Sequence, residues 1–307
     1  MLRCHWSGHF AAVGADREGV IHIDRFAPSP TGLLHLGHAF SALIGHAMAE
    51  AAGGRYLLRM EDLDRGRVRP EYYAAIEADL TWLGVRWHGD VLWQSQRLGH
   101  YAAALKRLEA QGLVYRCACT RRDIAEAVSA PQESRSIGPD GLVYPGTCRG
   151  RALPTGPDRA HRLDMRAAVT ALGDARLRRL TFTEDGAGPA GETGEIALDP
   201  DALIEGTGDI VLARRDGTPA YHLAVVVDDA AQGITHITRG EDLFAATPIH
   251  RLLQALLGLP TPRYHHHRLI RDEAGRRLAK RDDAKAIATL RAEGASPDDI
   301  RRMVGLG

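Results

Sequence analysis

Two imidazoles, His35 and His38, flank Gly37 at the point where an Ala-rich helical pattern begins. The first turn of a helix carries unpaired N–H groups and the positive end of the dipole, so a phosphate would be held there. Gly37 puts no side chain in the way of a flat group, such as an adenine ring, lying against the backbone. Late in the chain a basic loop carries Arg276, Arg277, Lys280 and Arg281, and its lysine could neutralise a triphosphate held by the imidazoles. Glu61 opens the acidic run Glu61-Asp62-Leu63-Asp64 and could face a substrate ammonium. Cys117 and Cys119 are close enough to chelate one ion, and Cys148 could supply a third thiolate. A fourth ligand could be His161 or Tyr144, and unmetallated buried thiols fit the same spacing. Taken singly, each feature also has a plain reading, as a chance histidine pair, a solvated turn or a polar loop.

The elements that must position these groups follow from periodicity. Val20, Ile21, Ile23 and Phe26 read as a strand, followed by a Pro-Ser-Pro-Thr-Gly turn over residues 28–32 and a helix to Ala52, stopped by Gly53-Gly54. A strand over 56–60 comes next. Such a strand, helix, strand unit implies a parallel sheet, whose ligands bind beyond the carboxyl ends of its strands. Helices are expected over 70–83 and 95–111, the second with Ser95 as N-cap. Residues 160–215 alternate short apolar stretches with turn signals, as a small strand-rich insertion would, with 183–196 as a mobile loop. Leu223 to Val227 and Ile234 to Thr238 read as buried strands ending in Asp228-Asp229 and in Arg239-Gly240-Glu241-Asp242. Thr247 as N-cap and Pro248 at the first position open a helix to Leu257, and Ser296 opens a short last one.

Lys+Arg and Asp+Glu are equal at 39 each in 307 residues, so no global field draws in nucleic acid and any such partner needs a local patch. No run of about 18 apolar residues appears, and the leader lacks the apolar core of a signal peptide, so a cytoplasmic protein without membrane contact is expected. Four cysteines do not make a disulfide framework in a chain this long.

The blocks at 25–38, 58–64, 221–229, 234–242 and 277–281, in that order, resemble the class I aminoacyl-tRNA synthetases of the glutamate type. His35-Leu36-Gly37-His38 stands for that family's HIGH signature and Arg277 to Arg281 for its KMSKS loop. Ala279 replaces the usual serine of the loop, while Lys280 is retained. Only 26 residues follow Arg281, so the helical anticodon-binding domain of the full-length enzymes is expected to be absent.

The resemblance implies an α/β fold: a Rossmann-type parallel-sheet catalytic domain with an inserted zinc-binding, acceptor-like subdomain. The expected division is a tail over 1–18, a first catalytic half over 19–112, the insertion over 113–215 and a second half over 216–307. Its truncated branch activates L-glutamate with ATP in the absence of tRNA. That branch then attaches the glutamate to the queuosine base of tRNA(Asp). His35, His38 and Lys280 would then be catalytic, with Gly37 completing the ATP site. Glutamate would meet Arg25, Phe26, Ala27, Pro28, Ser29, Glu61, Tyr221 and Arg239. The two arginines suit its two carboxylates and Glu61 suits its ammonium. One Zn²⁺ would fall on Cys117, Cys119, Tyr144 and Cys148, Mg²⁺ would accompany ATP, and the protein would act as a monomer. Two alternatives stay open: a truncated enzyme charging the tRNA 3′ end, and a non-catalytic zinc-bearing RNA-binding module.

Overall fold

The computed structural model describes residues 20–128, 137–154, 156, 158–271 and 285–307. The leader and the basic residues Arg276, Arg277, Lys280 and Arg281, with Ala279, lie outside the described residues. β1 (Ile23–Phe26), α1 (Leu36–Ala51), β2 (Arg55–Met60), α2 (Pro70–Trp82), β3 (Leu92–Trp93) and α3 (Leu98–Ala110) open the chain. β1, β2 and β3 form a parallel sheet in that order. Later come α7 (Tyr221–Ala231), β11 (His236–Gly240), α8 (Thr247–Leu257), β12 (Arg263–His267), α9 (Ile287–Ala292) and α10 (Pro297–Met303). β11, β12 and β8 (Thr181–Glu184) run parallel, with β9 (Gly194–Ala197) antiparallel at the edge.

The two sheets meet where β1 lies beside β11. There, side chains substitute for part of the ladder. Thr235 donates its N–H to the Ile23 carbonyl at 2.9 Å, the Ile23 amide donates to Thr235 Oγ1 at 2.8 Å, and the Thr238 amide donates to Asp24 Oδ1 at 3.2 Å. β1 continues toward α1 and β11 toward α8, so the connections diverge at this seam. It is the switch point at which α/β sheets bind ligands. One apolar core packs α1, α2, α9 and α10 against β1 and β2, and another packs α3, α5 (Met165–Leu172), α7 and α8 against the second sheet.

The inserted segment carries β4 (Val114–Cys117), α4 (Arg121–Val128), the hairpin β5 (Ile137–Gly138) with β6 (Gly141–Leu142), β7 (Ala160–Leu163), α5, α6 (Asp174–Leu177) and β10 (Val211–Ala213). β10, β7 and β4 make a separate antiparallel sheet. β8 and β9, which lie in the same stretch of chain, join the parallel sheet instead.

Four expectations change. Leu223 to Val227 is the helix α7, not a strand, because this helix is buried on nearly every side from His222 to Asp229 and so shows no polar stripe. Ser95 does not cap α3; it sits in the 3-10 turn Gln94–Gln96 and gives both its N–H (2.7 Å) and its hydroxyl (2.6 Å) to Asp62. Thr247 is the first helical residue rather than the N-cap, and its hydroxyl accepts from Arg239 at 2.6 Å. Residues 183–196 form the β8–β9 hairpin rather than a mobile loop, stapled to β12 by the amides of Asp185 and Ala187 donating to Tyr264 and His266 carbonyls. Ser296 does cap α10, in a reciprocal capping box with Asp299. Among the described residues no helix is long and apolar enough to cross a membrane.

Candidate functional site

The carboxyl ends of β1 and β11 open into a cavity of about 520 Å³. Arg25, Phe26, Ala27, Pro28, Ser29, His35, Gly37, His38, Glu61, Tyr221 and Arg239 all line it. Sequence reasoning drew these residues from four separate blocks. Lys280 lies outside the described residues.

At one end of the cavity, His35 and His38 cap α1 reciprocally. His35 Nδ1 accepts from the Gly37 amide at 3.1 Å, His38 Nδ1 accepts from the His35 amide at 3.2 Å, and the rings stack with centroids 3.8 Å apart. An imidazole whose Nδ1 accepts carries its proton on Nε2. The capping geometry therefore turns both neutral rings into Nε2–H donors at a helix N-terminus, which suits phosphate oxygens. Gly37 also has a steric role: a Cβ there would lie 3.1 Å from the His35 ring.

At the other end, two buried arginines are held differently. Arg25 donates through Nε to Asp229 Oδ1 at 3.0 Å. The same oxygen accepts from Arg59 at 2.8 Å. Burial raises the Asp229 carboxyl, but the guanidiniums of Arg59 and Arg25 outweigh it and hold the group below the usual carboxylate range. Arg239 is nearly saturated: Nε donates to His266 Nε2 at 3.0 Å, NH1 to His250 Nδ1 at 3.2 Å, and NH2 to the Leu243 carbonyl at 3.1 Å and to Thr247 Oγ1 at 2.6 Å. Of five N–H donors, these four bonds leave one for a ligand. Arg25 makes no hydrogen bond through its terminal nitrogens, NH1 standing in an ion pair 3.7 Å from Asp24 Oδ1, so that end could still meet a carboxylate at two points, whereas Arg239 has one N–H to offer.

Glu61 donates its amide to the Pro28 carbonyl at 3.0 Å, which ties the end of β2 to the Pro-Ser-Pro turn. Burial lifts its carboxyl to about 7, against the pull of Arg59 and Arg25. Burial likewise lifts the Tyr221 phenol to about 12, so it stays protonated and able to donate.

Asp228-Asp229 stands out in the sequence as a charged cluster after a buried run, but its partners do not: Asp229 and Arg59 fix Arg25. Other site residues escaped sequence reasoning. His266, oriented by Glu184 Oε2 at 2.5 Å, and His250 fix Arg239. His267 also lines the cavity, and burial depresses its ring to about 4, so it is neutral. The run Tyr264-His265-His266-His267 was the one available signal for the last two histidines.

In the inserted segment, Cys117, Cys119 and Cys148 bring their sulfurs within 4.8 Å of one another. Tyr144 joins them, its hydroxyl 3.3 Å from Cys117 Sγ and 3.4 Å from Cys119 Sγ, with Cys119 and Cys148 sulfurs 3.5 Å apart. A tetrahedral zinc with about 2.3 Å bonds to sulfur and 2.0 Å to oxygen spaces its ligands about 3.5–3.8 Å apart, and the separations of 3.3, 3.4 and 3.5 Å lie close to that. The Cys148 amide donates to the Tyr144 oxygen at 2.9 Å, and the Arg162 guanidinium lies 3.9 Å from the ring centroid. The amide contact favours a phenolate, but burial and the hydrogen bonds of the three thiols outweigh it and push the phenol up. His161, the other sequence candidate, is instead paired with Glu109 at 3.5 Å.

The family described as tRNA synthetases class I (E and Q), catalytic domain, matches residues 22–141 and 190–306. A protein of Rhodobacter capsulatus named glutamyl-Q tRNA(Asp) synthetase is 58% identical over 92% of this chain and all of its own. One of the same name from Nocardia farcinica is 45% identical over 90% of this chain and 81% of its own. Among solved structures, a glutamate tRNA ligase from Elizabethkingia meningosepticum, crystallised with its amino acid, superposes with a TM-score of 0.71 at 25% identity. The glutamate-tRNA synthetase of Elizabethkingia anophelis superposes at 0.73, also at 25% identity. The chain spans about 60% of these two longer proteins, which cover 93% and 94% of it.

Proposed function

The chain belongs to the class I glutamate and glutamine tRNA synthetases, in the branch of the glutamyl-Q tRNA(Asp) synthetases, and from that premise we propose that it activates L-glutamate with ATP and transfers it to the queuosine base of tRNA(Asp). The observation that carries the reading is the shared cavity, with two imidazole N–H donors at one end and two guanidiniums, a carboxylate and a phenol at the other. Two cationic groups and one anion match a diacid bearing one ammonium.

In the first step an oxygen of the glutamate α-carboxylate bonds to the α-phosphorus of ATP, the bond to the β-phosphate oxygen breaks, and pyrophosphate leaves. No protein nucleophile is needed, so the protein contributes positioning and charge stabilisation. Arg25 and Arg239 hold the carboxylates, Glu61 holds the ammonium, and His35 and His38 donate to phosphate oxygens, with Lys280 balancing the leaving pyrophosphate. Mg²⁺ bound with ATP would add positive charge at the phosphates. In the second step a hydroxyl of the modified base attacks the acyl carbon, loses its proton, and AMP departs. The inserted segment is read as a zinc subdomain, with Cys117, Cys119, Tyr144 and Cys148 as ligands.

The test is pyrophosphate exchange with glutamate, glutamine and aspartate in the absence of RNA, where glutamate alone should support exchange. Labelled glutamate should then appear in the anticodon fragment after ribonuclease digestion of tRNA(Asp). Label on the 3′-terminal nucleoside would instead identify an enzyme of the ordinary charging type.

Two further outcomes follow. Glu61 must be ionised to accept an ammonium, and its carboxyl titrates near 7. Below that pH a proton must be displaced before glutamate binds, so KM for glutamate should rise about tenfold per pH unit. A pH-independent KM between 5.5 and 7 would argue against this role, and Glu61→Gln should abolish the dependence. The protein as purified should also contain one zinc per chain by atomic absorption, and Cys117→Ser should lose most of it. Unchanged zinc in that variant would exclude Cys117 as a ligand.

A further inference from the structure

A polar chain leaves the glutamate end of the cavity and ends on the inserted segment. Its direction is forced. Arginine can only donate, so the 3.2 Å contact from Arg239 NH1 makes His250 Nδ1 an acceptor and puts the His250 proton on Nε2. That Nε2–H donates to His222 Nδ1 at 3.0 Å, which in turn puts the His222 proton on Nε2. His222 Nε2–H then donates to the Asp140 carboxylate, 3.0 Å from Oδ1 and 3.1 Å from Oδ2. All the ring nitrogens of His250 and His222 are satisfied in one arrangement alone, with both rings neutral. His250 and His222 are buried, at 2% and 4% exposure, so water is a poor substitute between them, while Asp140 closes the chain from the exposed side of the hairpin.

Asp140 does not belong to the wall of the cavity. It sits in the turn between β5 and β6, and that hairpin presses on the chain at Gly206: a Cβ on Gly138 would lie 2.5 Å from the Gly206 carbonyl oxygen. Tyr144, four residues further on, stands at the thiol cluster. The anion that ends the chain is thus positioned by the insertion, and the group at its other end is Arg239.

We propose that Asp140 is a positioning residue for glutamate recognition, acting through His222 and His250 to hold Arg239, so that the insertion hairpin and the substrate cavity form one hydrogen-bonded unit. The inference rests on the reading that Arg239 grips a substrate carboxylate. Without the carboxylate, Arg239 still sets both tautomers, but His222 Nε2–H loses the acceptor that fixes the ring, and His250 loses a fixed neighbour behind it. Arg239 keeps His266, Leu243 and Thr247 on Nε and NH2, while NH1, the nitrogen that carries the N–H left for a ligand, loses the firm contact that aims it.

The experiment is glutamate-dependent pyrophosphate exchange by the full chain as unsubstituted protein, Asp140→Ala, Asp140→Asn, His222→Phe and the Asp140→Ala/His222→Phe double variant. Asp140→Ala should raise KM for glutamate about tenfold, the scale of a lost charge-assisted hydrogen bond, with KM for ATP unchanged. Asp140→Asn should stay within about twofold, because its amide oxygen accepts the same N–H. In the His222→Phe background, which itself raises KM for glutamate, Asp140→Ala should add nothing. An unchanged KM for glutamate in Asp140→Ala, or additive effects in the double variant, would overturn the proposal. Should Asp140→Ala fail to fold, His222→Phe decides alone, since an unaltered glutamate KM there breaks the chain in its middle. Failure of the unsubstituted protein to exchange with glutamate would instead overturn the reading of the cavity itself.

Discussion

Arg25→Ala should lower kcat/KM for glutamate in pyrophosphate exchange on the order of a thousandfold and leave KM for ATP unchanged. Arg25 is buried near the end of β1, hydrogen-bonded through Nε to Asp229, with its NH1 3.7 Å from Asp24 Oδ1. Its terminal nitrogens are the natural two-point partner for a carboxylate. Truncating one member of a buried, hydrogen-bonded charge pair costs roughly 2–5 kcal/mol, and each 1.4 kcal/mol is about tenfold in rate. Asp229 retains Arg59 at 2.8 Å, so the fold keeps one of the two pairs on that oxygen. Arg25→Lys should recover only part of the loss, because a single ammonium cannot reach Asp229 and grip a planar carboxylate together. A kcat/KM within tenfold of the unsubstituted value for Arg25→Ala would remove this residue from the substrate site.

His38→Ala should depress exchange by about a hundred- to a thousandfold, the usual cost of deleting one preorganised donor at a developing charge. On the proposed reading the side chain would have two functions: Nδ1 accepts from the His35 amide, and the Nε2–H would serve a phosphate in the cavity that His38 lines. Losing a helix cap costs about 1 kcal/mol of stability. His38→Asn separates the two: its amide oxygen can take the His35 N–H, but its shorter side chain does not carry a donor to the Nε2 position. The asparagine variant should therefore melt near the unsubstituted protein and still exchange poorly. Full activity in His38→Asn would reduce His38 to a cap.

The seam of the sheet was legible because its strands are short, apolar and followed at once by chemistry. Tyr56 to Met60 ends in Glu61, and Ile234 to Thr238 ends in Arg239. The helical spacing of Phe40, Leu43, Ile44 and Ala47 likewise announced α1. α7 was misread because a helix buried on all sides and a doubly covered strand give the same apolar run, and Val225, Val226 and Val227 tilt the balance toward a strand. The supports of the site were legible at most as isolated charges, such as Asp228-Asp229, and never as pairs. Asp229 meets Arg59, Glu184 meets His266 and Asp140 meets His222 only once the chain is folded, and no local pattern marks a pair 170 or 82 residues apart.

One contact at the start of α1 limits where the late lysine can go. His35 and Ala286 form an isolated antiparallel bridge, and the Ile287 amide donates to the Leu34 carbonyl at 2.8 Å. Lys280 precedes that clamp by six residues, so its leash is about 20 Å even when fully drawn out. The clamp itself rests on described residues at both ends, so the start of α1 and the entry to α9 are fixed to one another.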